Sequence, residues 1–374
     1  MKRKKLLCFG MAAALACASL QAGTAQAGGI PEGKWTAGSI QEKPQGELQQ
    51  EFGTPAKGAA QGTAKGAGAG EQVTSAGWKY KALANGTVEI TGYTGTGTSL
   101  SIPSKIGGKK VTSIGKRAFA YENCAVNGTI KSIKIPKTAK KIGSEAFIYC
   151  MNIKKIKIPK GVTSIGDKAF YFCEALGSVS LPETLQSVGK EAFWNTSLKK
   201  VSIPKRLTKI GERAFTLVSG CKSFKVQKGN PAYCAQDGVL FTKDKKTLVA
   251  CPMGKTGSYP VPKGTRKIGN YAFAYSSLKN ITCQKGLATV GKNAFSSSSV
   301  EKIVFPEGLK TIQYRAFENC IQLTSVTFPK SLKKIVENPF YSWSGSINVT
   351  LKVSRGSYAE KWAKKNKIPY TYLK

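Results

Sequence analysis

The sequence predicts an α/β solenoid of about eleven stacked coils of 22–23 residues, and two regularities support this prediction. First, the second apolar residue of a short strand motif recurs at a nearly constant interval, which is typical of one supersecondary unit repeated along an axis. Second, in each full coil from Ile135 onward, an aliphatic residue follows the strand position after seven residues, and a phenylalanine follows after five more. The recurring strand positions are Ile102, Ile135, Ile158, Leu181, Ile203, Val226, Val261, Cys283, Phe305, Phe328 and Val349.

Each coil is predicted to begin with a short strand. In Ile133-Lys134-Ile135-Pro136 the two isoleucines alternate with a polar residue, so they should point to the core, and proline ends the strand because it cannot donate to a ladder. These strands stack into a parallel sheet. The Gly-x-x-Ala-Phe segment that comes next predicts a tight turn into a short helical turn. The phenylalanine of each coil adds one ring, which we call a rung, to a column of stacked rings in the core.

Two departures from the repeat are interpreted separately. The long interval after Val226 indicates an insertion over about 227–260, in which residues 237–249 form a β-hairpin that projects from the stack. Residues 357–367 have the pattern of a short amphipathic helix, and the segment 356–374 is expected to cap the open end of the core.

The N-terminus is predicted to be an export signal. Four basic residues precede an apolar stretch from Leu6 to Leu20, and Ala25-Gln26-Ala27 fits a cleavage site, so residues 1–27 form a signal peptide. Lipid attachment at Cys17 is an alternative. Residues 28–76, rich in Gly, Ala, Gln and Thr, predict a flexible linker, and 77–374 the repeat domain. The mature protein is expected to be secreted or held at the cell surface, with no transmembrane segment.

The composition argues against catalysis. The chain contains no histidine and three aspartates, which removes histidine-based triads and the usual zinc and calcium sites, so we predict no enzyme, no cofactor and no metal. A degradative enzyme of exported polymers is the least favoured alternative. Four carboxylates precede Ala-Phe, and we interpret them as acids at the start of the predicted helical turns. They are Glu145, Asp167, Glu191 and Glu212.

The cysteines are mostly placed by the repeat. Cys150, Cys173 and Cys320 each follow a repeat phenylalanine by three residues, which predicts buried thiols rather than disulfides. Cys234 and Cys251 lie outside the repeat, and the sequence leaves open whether they form a disulfide.

The charge points to an acidic partner. The formal net charge is +38, and lysine supplies nearly all of the positive charge. Because sequence-specific recognition of bases favours arginine, no specific nucleic-acid partner is expected, whereas an acidic extracellular protein, a glycan or an anionic cell-wall polymer fits.

Two surfaces are candidates for binding. The outward positions of the strands form a cationic, hydroxyl-bearing face, which could equally be a merely solvated sheet. The alternative is an aromatic stripe after the repeat phenylalanines, which either covers the turns or stacks on sugars. The face comprises Lys134, Lys155, Lys157, Lys200, Ser202, Lys225, Thr282 and Lys302, and the stripe Tyr121, Tyr149, Tyr171, Trp194 and Tyr275.

The coil from Ile153 to Cys173, which contains Ile-Lys-Lys-Ile-Lys-Ile-Pro and Ala169-Phe170, resembles the BspA-like leucine-rich repeat family of bacterial surface proteins. The resemblance covers about Trp78 to Lys374. It implies a curved leucine-rich repeat solenoid, export, and a protein-binding or adhesive role without catalysis or cofactor. No binding residues are common to the family, so none is transferred. The expected function is a secreted or surface adhesion-type binding module, and the alternative is a structural protein retained on the envelope by charge.

Overall fold

The structure is a computed structural model, and it describes residues 70–343 and 348–374. The predicted signal peptide and most of the predicted linker lie outside these residues. The body opens with three antiparallel strands, of which the first falls at the end of the segment assigned to the linker. They are Glu71–Val73 (β1), Trp78–Ala82 (β2) and Val88–Tyr93 (β3).

The solenoid is confirmed as about 12 turns with few helices. Its predicted strands lie along one side of the stack, which we call the front sheet. All pairs that form between them are parallel, and they fall into four separate groups: in the order below, the first two strands, the next two, the next two and the last six. The strands are Ser99–Ser101 (β4), Ser132–Lys134 (β7), Lys155–Lys157 (β9), Ser178–Ser180 (β11), Val201–Ile203 (β13), Phe224–Val226 (β15), Gly257–Pro260 (β19), Leu278–Thr282 (β21), Lys302–Val304 (β23), Ser325–Thr327 (β25), Thr350–Val353 (β27) and Tyr370–Tyr372 (β28).

A second parallel sheet, the side sheet, forms where the sequence predicts only an aliphatic core position. Most of its strands have two residues, too few for an alternating pattern to reveal them. It continues from β3 through Lys109–Ile114 (β6), Lys141–Ile142 (β8), Ser164–Ile165 (β10), Ser187–Val188 (β12) and Lys209–Ile210 (β14), and after the insertion through Thr247–Ala250 (β18), Lys267–Ile268 (β20), Thr289–Val290 (β22), Thr311–Ile312 (β24) and Lys334–Ile335 (β26). Lys105–Ile106 (β5) pairs with β6.

The third side of each coil is a run of overlapping turns instead of the predicted helical turn. Glu145 and Tyr149, two residues before and after Phe147, have φ of 57° and 60°. Because left-handed residues recur in this turn run, every second backbone N–H points toward the next coil of the stack. Phe147 N–H donates to Ala169 O of the next coil at 2.8 Å, and Tyr149 N–H to Tyr171 O at 2.9 Å. We call this third set of bonds the turn ladder; its bonds offset the strain of left-handed residues, which is roughly 1–3 kcal/mol each.

Most coils have a glycine after the side-sheet strand, and its role is close stacking instead of a positive φ. A Cβ at Gly166 would lie 2.4 Å from Ser144 N of the preceding coil, closer than any real contact. The glycine therefore permits the close approach at this coil, whereas the last two coils have Gln313 and Val336 at the same position.

The insertion is not a hairpin that projects from the stack; it is a wall inside it. Tyr233–Gln236 (β16), Val239–Thr242 (β17) and β18 are antiparallel, and β18 then joins the side sheet by pairing with β20. Side chains alternate along β17. As a result Leu240 packs in the core before the insertion, and Val239 and Phe241 pack in the core after it.

The wall divides the body into an N-terminal stack, from β3 to β15, and a C-terminal stack, from β19 to β28. In both stacks a tyrosine hydroxyl accepts a hydrogen bond from the last strand of the side sheet. The Ile210 N–H of β14 donates to Tyr233 Oη at 3.1 Å, and the Ile335 N–H of β26 donates to Tyr358 Oη at 3.1 Å. Each tyrosine therefore caps a strand that has no further strand beside it.

The predicted C-terminal cap is a helix, Tyr358–Lys365 (α1), with Ser357 as its N-cap residue. Trp362 of α1 packs 6.4 Å from Phe340, between ring centroids. The register before it differs from the prediction: Leu351 pairs with Val326, so Val353 and not Val349 continues the column of Phe328. A short 3₁₀ segment, Asn127–Thr129, is the other helix of the described residues.

Candidate binding surfaces

The front sheet presents every predicted face residue to solvent. All eight are exposed, because successive residues of a strand point to opposite sides and the apolar neighbours are buried, as Ile156 is between Lys155 and Lys157. The face contains one exposed apolar residue, Val304, which is 56% exposed.

Most lysines on this face lie opposite a polar neutral residue of an adjacent coil, although Lys134 and Lys157 occupy the same repeat position on neighbouring coils. Lys155 pairs with Ser178, Lys157 with Ser180, and Lys225 with Ser202. Lys302 lies between Asn280 and Ser325. Like charges directly opposite each other destabilise a sheet, so this arrangement holds positive charge on the face at low cost.

These lysines have no acidic partner. Within 70–343 and 348–374, none of the six forms a salt bridge. Their ammonium groups stay hydrated and free to meet an anionic ligand. The chemistry that the face can offer is that of its ammonium groups and hydroxyls, which belong to Lys134, Lys155, Lys157, Lys200, Lys225 and Lys302 with Ser202 and Thr282.

The aromatic stripe is mostly packed against itself. Tyr171 is buried and stacks on Trp194 at 5.0 Å, and Trp194 meets Tyr275 edge-on at 6.5 Å across the wall. Phe172 joins this cluster at 5.2 Å from Trp194. Tyr149 is 40% exposed.

Tyr121 is the most open member of the stripe, at 78% exposure. The structure therefore brings four of the five stripe residues together and leaves only Tyr121 and Tyr149 with much ring surface for a ligand.

The repeat carboxylates tie adjacent coils together and do not start helices. Glu145 pairs with Arg117 of the preceding coil, and Asp167 Oδ1 accepts the Lys190 N–H at 2.7 Å. Glu191 is buried and pairs with Arg213 of the next coil. The reason for the difference is that the segment after them is a turn run, which has no helix dipole to stabilise.

All eight cysteines of the described residues are free thiols, including Cys234 and Cys251. Cys234 Sγ donates to Thr242 O at 3.3 Å, and Cys251 is buried beside Ser276. Burial raises the pKa of Cys251 and Cys320 to about 12, so both are un-ionised at neutral pH.

Within residues 70–343 and 348–374, no cluster of three or more His, Cys, Asp or Glu is arranged to hold a metal ion. No helix of that part of the chain is both long and apolar enough to span a bilayer.

Solved bacterial proteins share this fold at low sequence identity. The pneumococcal vaccine antigen PcpA matches with a TM-score of 0.60 and 22% identity, covering 81% of this chain and 98% of that one. A leucine-rich cell surface protein of Faecalibacterium prausnitzii gives 0.51 and 23%, covering 78% and 97%. A leucine-rich repeat protein of Eubacterium ventriosum gives 0.53 and 24%, covering 75% and 77%.

No curated protein matches the chain. A family model does: the BspA type leucine-rich repeat region, in six copies, matches residues 93–225 and 255–359. The gap between these ranges contains the three strands of the wall, which interrupts the repeat in sequence as it does in structure. The chain belongs to the BspA-type leucine-rich repeat family.

Proposed function

We propose that the chain is a non-catalytic binding module of the bacterial surface, which captures an acidic extracellular protein or glycan on the face of its front sheet. The observation that supports this most is the face itself: six exposed lysines that have no acidic partner among the described residues and that lie mostly opposite serine or asparagine. A row of unpaired cations raises the local concentration of anionic ligands and steers their approach.

Family and fold support the coarser part of this proposal. The chain belongs to a family of surface-type leucine-rich repeats, and one solved relative in fold is named a cell surface protein. Export through the signal peptide at 1–27, with cleavage near Ala27, is the route that we propose to the surface.

The test compares two quadruple variants with the same charge change. One carries Lys→Ser at Lys134, Lys155, Lys157 and Lys200 of the front face. The control carries Lys→Ser at four exposed lysines on or beside the side sheet, none of which forms a salt bridge within the described residues: Lys141, Lys209, Lys333 and Lys334.

Association with an acidic mucin or polyglutamate, measured at two salt concentrations, should slow at least several-fold more in the front-face variant than in the control. Thermal unfolding of both should match the parent, because all eight side chains are exposed. Equal losses in the two variants would mean that only net charge matters.

The second candidate is a structural protein held on the producer's own anionic envelope, and the net charge of +38 favours it. The equal-loss result would support it. Retention by lysines alone should also collapse at high ionic strength, where exposed charges are screened, whereas capture through the rings of Tyr121 and Tyr149 should persist.

A further inference from the structure

The turn ladder is interrupted where the wall begins. In intact coils, N–H groups two residues before the repeat phenylalanine, at it, and two residues after it donate to the next coil, as those of Glu145, Phe147 and Tyr149 do at 2.8–2.9 Å. In the last coil of the N-terminal stack the equivalent N–H groups belong to Arg213, Phe215 and Leu217. None of these three has an acceptor within the part of the chain that the structure describes.

The cause is a shortened coil in the insertion. Leu248 takes the side-sheet position there, and Cys251 takes the phenylalanine position after three residues instead of five. Cys251 N–H donates onward to Ala272 O at 2.7 Å. The insertion has no turn segment whose carbonyl groups could accept from the N–H groups of the coil above. The missing turn leaves a gap between the coil of Phe215 and the coil of Phe273.

A cavity of about 210 Å³ occupies this gap. Arg213 and Phe215 line it from above, the β18 residues Thr247 and Ala250 from the wall, and Lys267 from the coil below. A water molecule takes about 30 Å³ of liquid volume, so the space can hold several waters or one small polar ligand.

The lining offers donors and cations in excess of free acceptors. Besides its N–H, Arg213 has a buried Nε without a hydrogen-bond partner, while its Nη2 is paired with Glu191 and its guanidinium lies 4.8 Å from the Tyr271 ring centroid. Lys267 is exposed and forms no salt bridge in the described residues. The carboxylate at the rim, Glu212, already accepts from Asn270 Nδ2 at 2.6 Å.

We propose that this cavity is a binding site for a small oxyanion, a carboxylate or sulfate group, held by the N–H groups of Arg213 and Phe215, the Nε–H of Arg213 and the ammonium of Lys267. Donors without acceptors destabilise a fold, and an oxyanion satisfies several at once with charge-assisted bonds. The anion is either free in solution or part of an acidic sugar. The site is separate from the front face and does not depend on the function proposed for it.

The test is an amide NMR titration of the ¹⁵N-labelled mature chain at constant ionic strength, with sodium sulfate, sodium glucuronate and neutral methyl glucoside. Sulfate should move the amide signals of Arg213 and Phe215 saturably, and leave those of Asn293 and Phe295, the equivalent amides in an intact coil, in place. If glucuronate does the same, the source includes acidic sugars; if only sulfate does, the site takes free anions.

Two variants at the same repeat position sharpen the test. Lys267→Ser should raise the apparent Kd about tenfold, the effect of losing one charged contact. Lys334→Ser, on the side sheet of an intact coil, should leave the Kd unchanged. The quadruple front-face variant should also retain anion binding.

Several results would overturn the proposal. They are linear shifts without saturation, a response to methyl glucoside as large as to glucuronate, shifts confined to the open basic depression around Lys205 and Gly229, or equal effects of the two lysine variants.

Discussion

The two stacks on either side of the wall are built from the same repeat and hold the same rungs. Centroids of successive phenylalanine rings lie 5.0–5.4 Å apart from Phe119 to Phe215 and 5.2–5.4 Å apart from Phe273 to Phe340. Between Phe215 and Phe273 this series stops, and each end ring meets a front-sheet aromatic instead, Phe224 in one stack and Tyr259 in the other.

The stacks differ at the positions just after the repeat phenylalanine. In the N-terminal stack these positions are apolar except at Thr216, and Ile148, Tyr171 and Trp194 form a second small core outside the rungs. In the C-terminal stack two of the four are polar, Ser296 and Glu318: buried Glu318 accepts from Asn293 Nδ2 at 2.6 Å and from Ser296 Oγ at 3.3 Å. Stacking therefore fixes the rung and the backbone ladder, whereas the outer turn is free to be either apolar or hydrogen-bonded.

Loss of a rung should destabilise a stack most. Phe170→Ala should lower the free energy of unfolding by about 3–5 kcal/mol, because it removes a buried ring that stacks on both neighbours. Tyr121→Ala, at an exposed ring, should change it by less than about 0.5 kcal/mol. Chemical denaturation of both variants measures this, and equal effects would refute the assignment of the rungs. Tyr171, although predicted on the outer stripe, is buried and is no suitable control.

Two substitutions in β17 test whether the two sides of the wall pack in different cores. Leu240→Ala should loosen the N-terminal stack and Phe241→Ala the C-terminal stack, each by about 2–5 kcal/mol, since the two side chains lie in different cores. Hydrogen exchange resolved along the chain shows where protection is lost. Loss in the same stack for both variants would contradict an internal wall.

The C-terminal stack ends in a pH-sensitive cap. Hydrogen bonds from Lys364 Nζ, Tyr372 Oη and the Gly356 N–H hold the pKa of Glu360 at about 2. An unfolded glutamate has a pKa of about 4.3, so the carboxylate stabilises the cap above that pH, and the contribution is lost as pH falls toward 2.

Protection factors of the α1 amides, which are corrected for the intrinsic pH dependence of exchange, should therefore fall below about pH 4 in the parent, and in Glu360→Gln they should already be low at neutral pH with a flatter dependence. A variant that keeps the parent's pH profile would show that Glu360 does not hold the cap.

The smallest effect concerns the thiols. Cys234 lies in the wall and is partly exposed, whereas the cysteines of both stacks are buried and, as at Cys320, un-ionised at neutral pH. Alkylation of the folded chain, followed by mass spectrometry, should label Cys234 first with no change in stability. Early labelling of Cys150 or Cys173 would indicate that the rungs open readily.

Much of this fold could be predicted from the sequence, because the strand, the rung and the spacing between them must stay in register from coil to coil. The pairing of the inserted hairpin and the helix after Ser357 were also predictable from local pattern. The side sheet was not, since Lys141–Ile142 is too short to alternate. The left-handed turns were not either, since Glu145 and Tyr149 occupy conformations for which glycine or asparagine is the usual signal.

Of the two candidate sites, one could be predicted from the sequence and the other could not. Exposure of the front-face lysines follows from the period of a strand and was correctly predicted. The cavity beneath Phe215 depends on backbone donors that lose their acceptors, which is a tertiary property. The sequence carries one sign of it, the absence of Gly-x-x-Ala-Phe between Val226 and Val261.

One strand, β17, divides the solenoid into two cores, and native-state hydrogen exchange of two rung variants is the decisive test of this division. Phe170→Ala should speed exchange through the N-terminal stack and leave the C-terminal stack at parent rates, and Phe295→Ala should do the reverse. If either variant speeds exchange equally on both sides of β17, the body is one cooperative stack and the division into two cores is wrong.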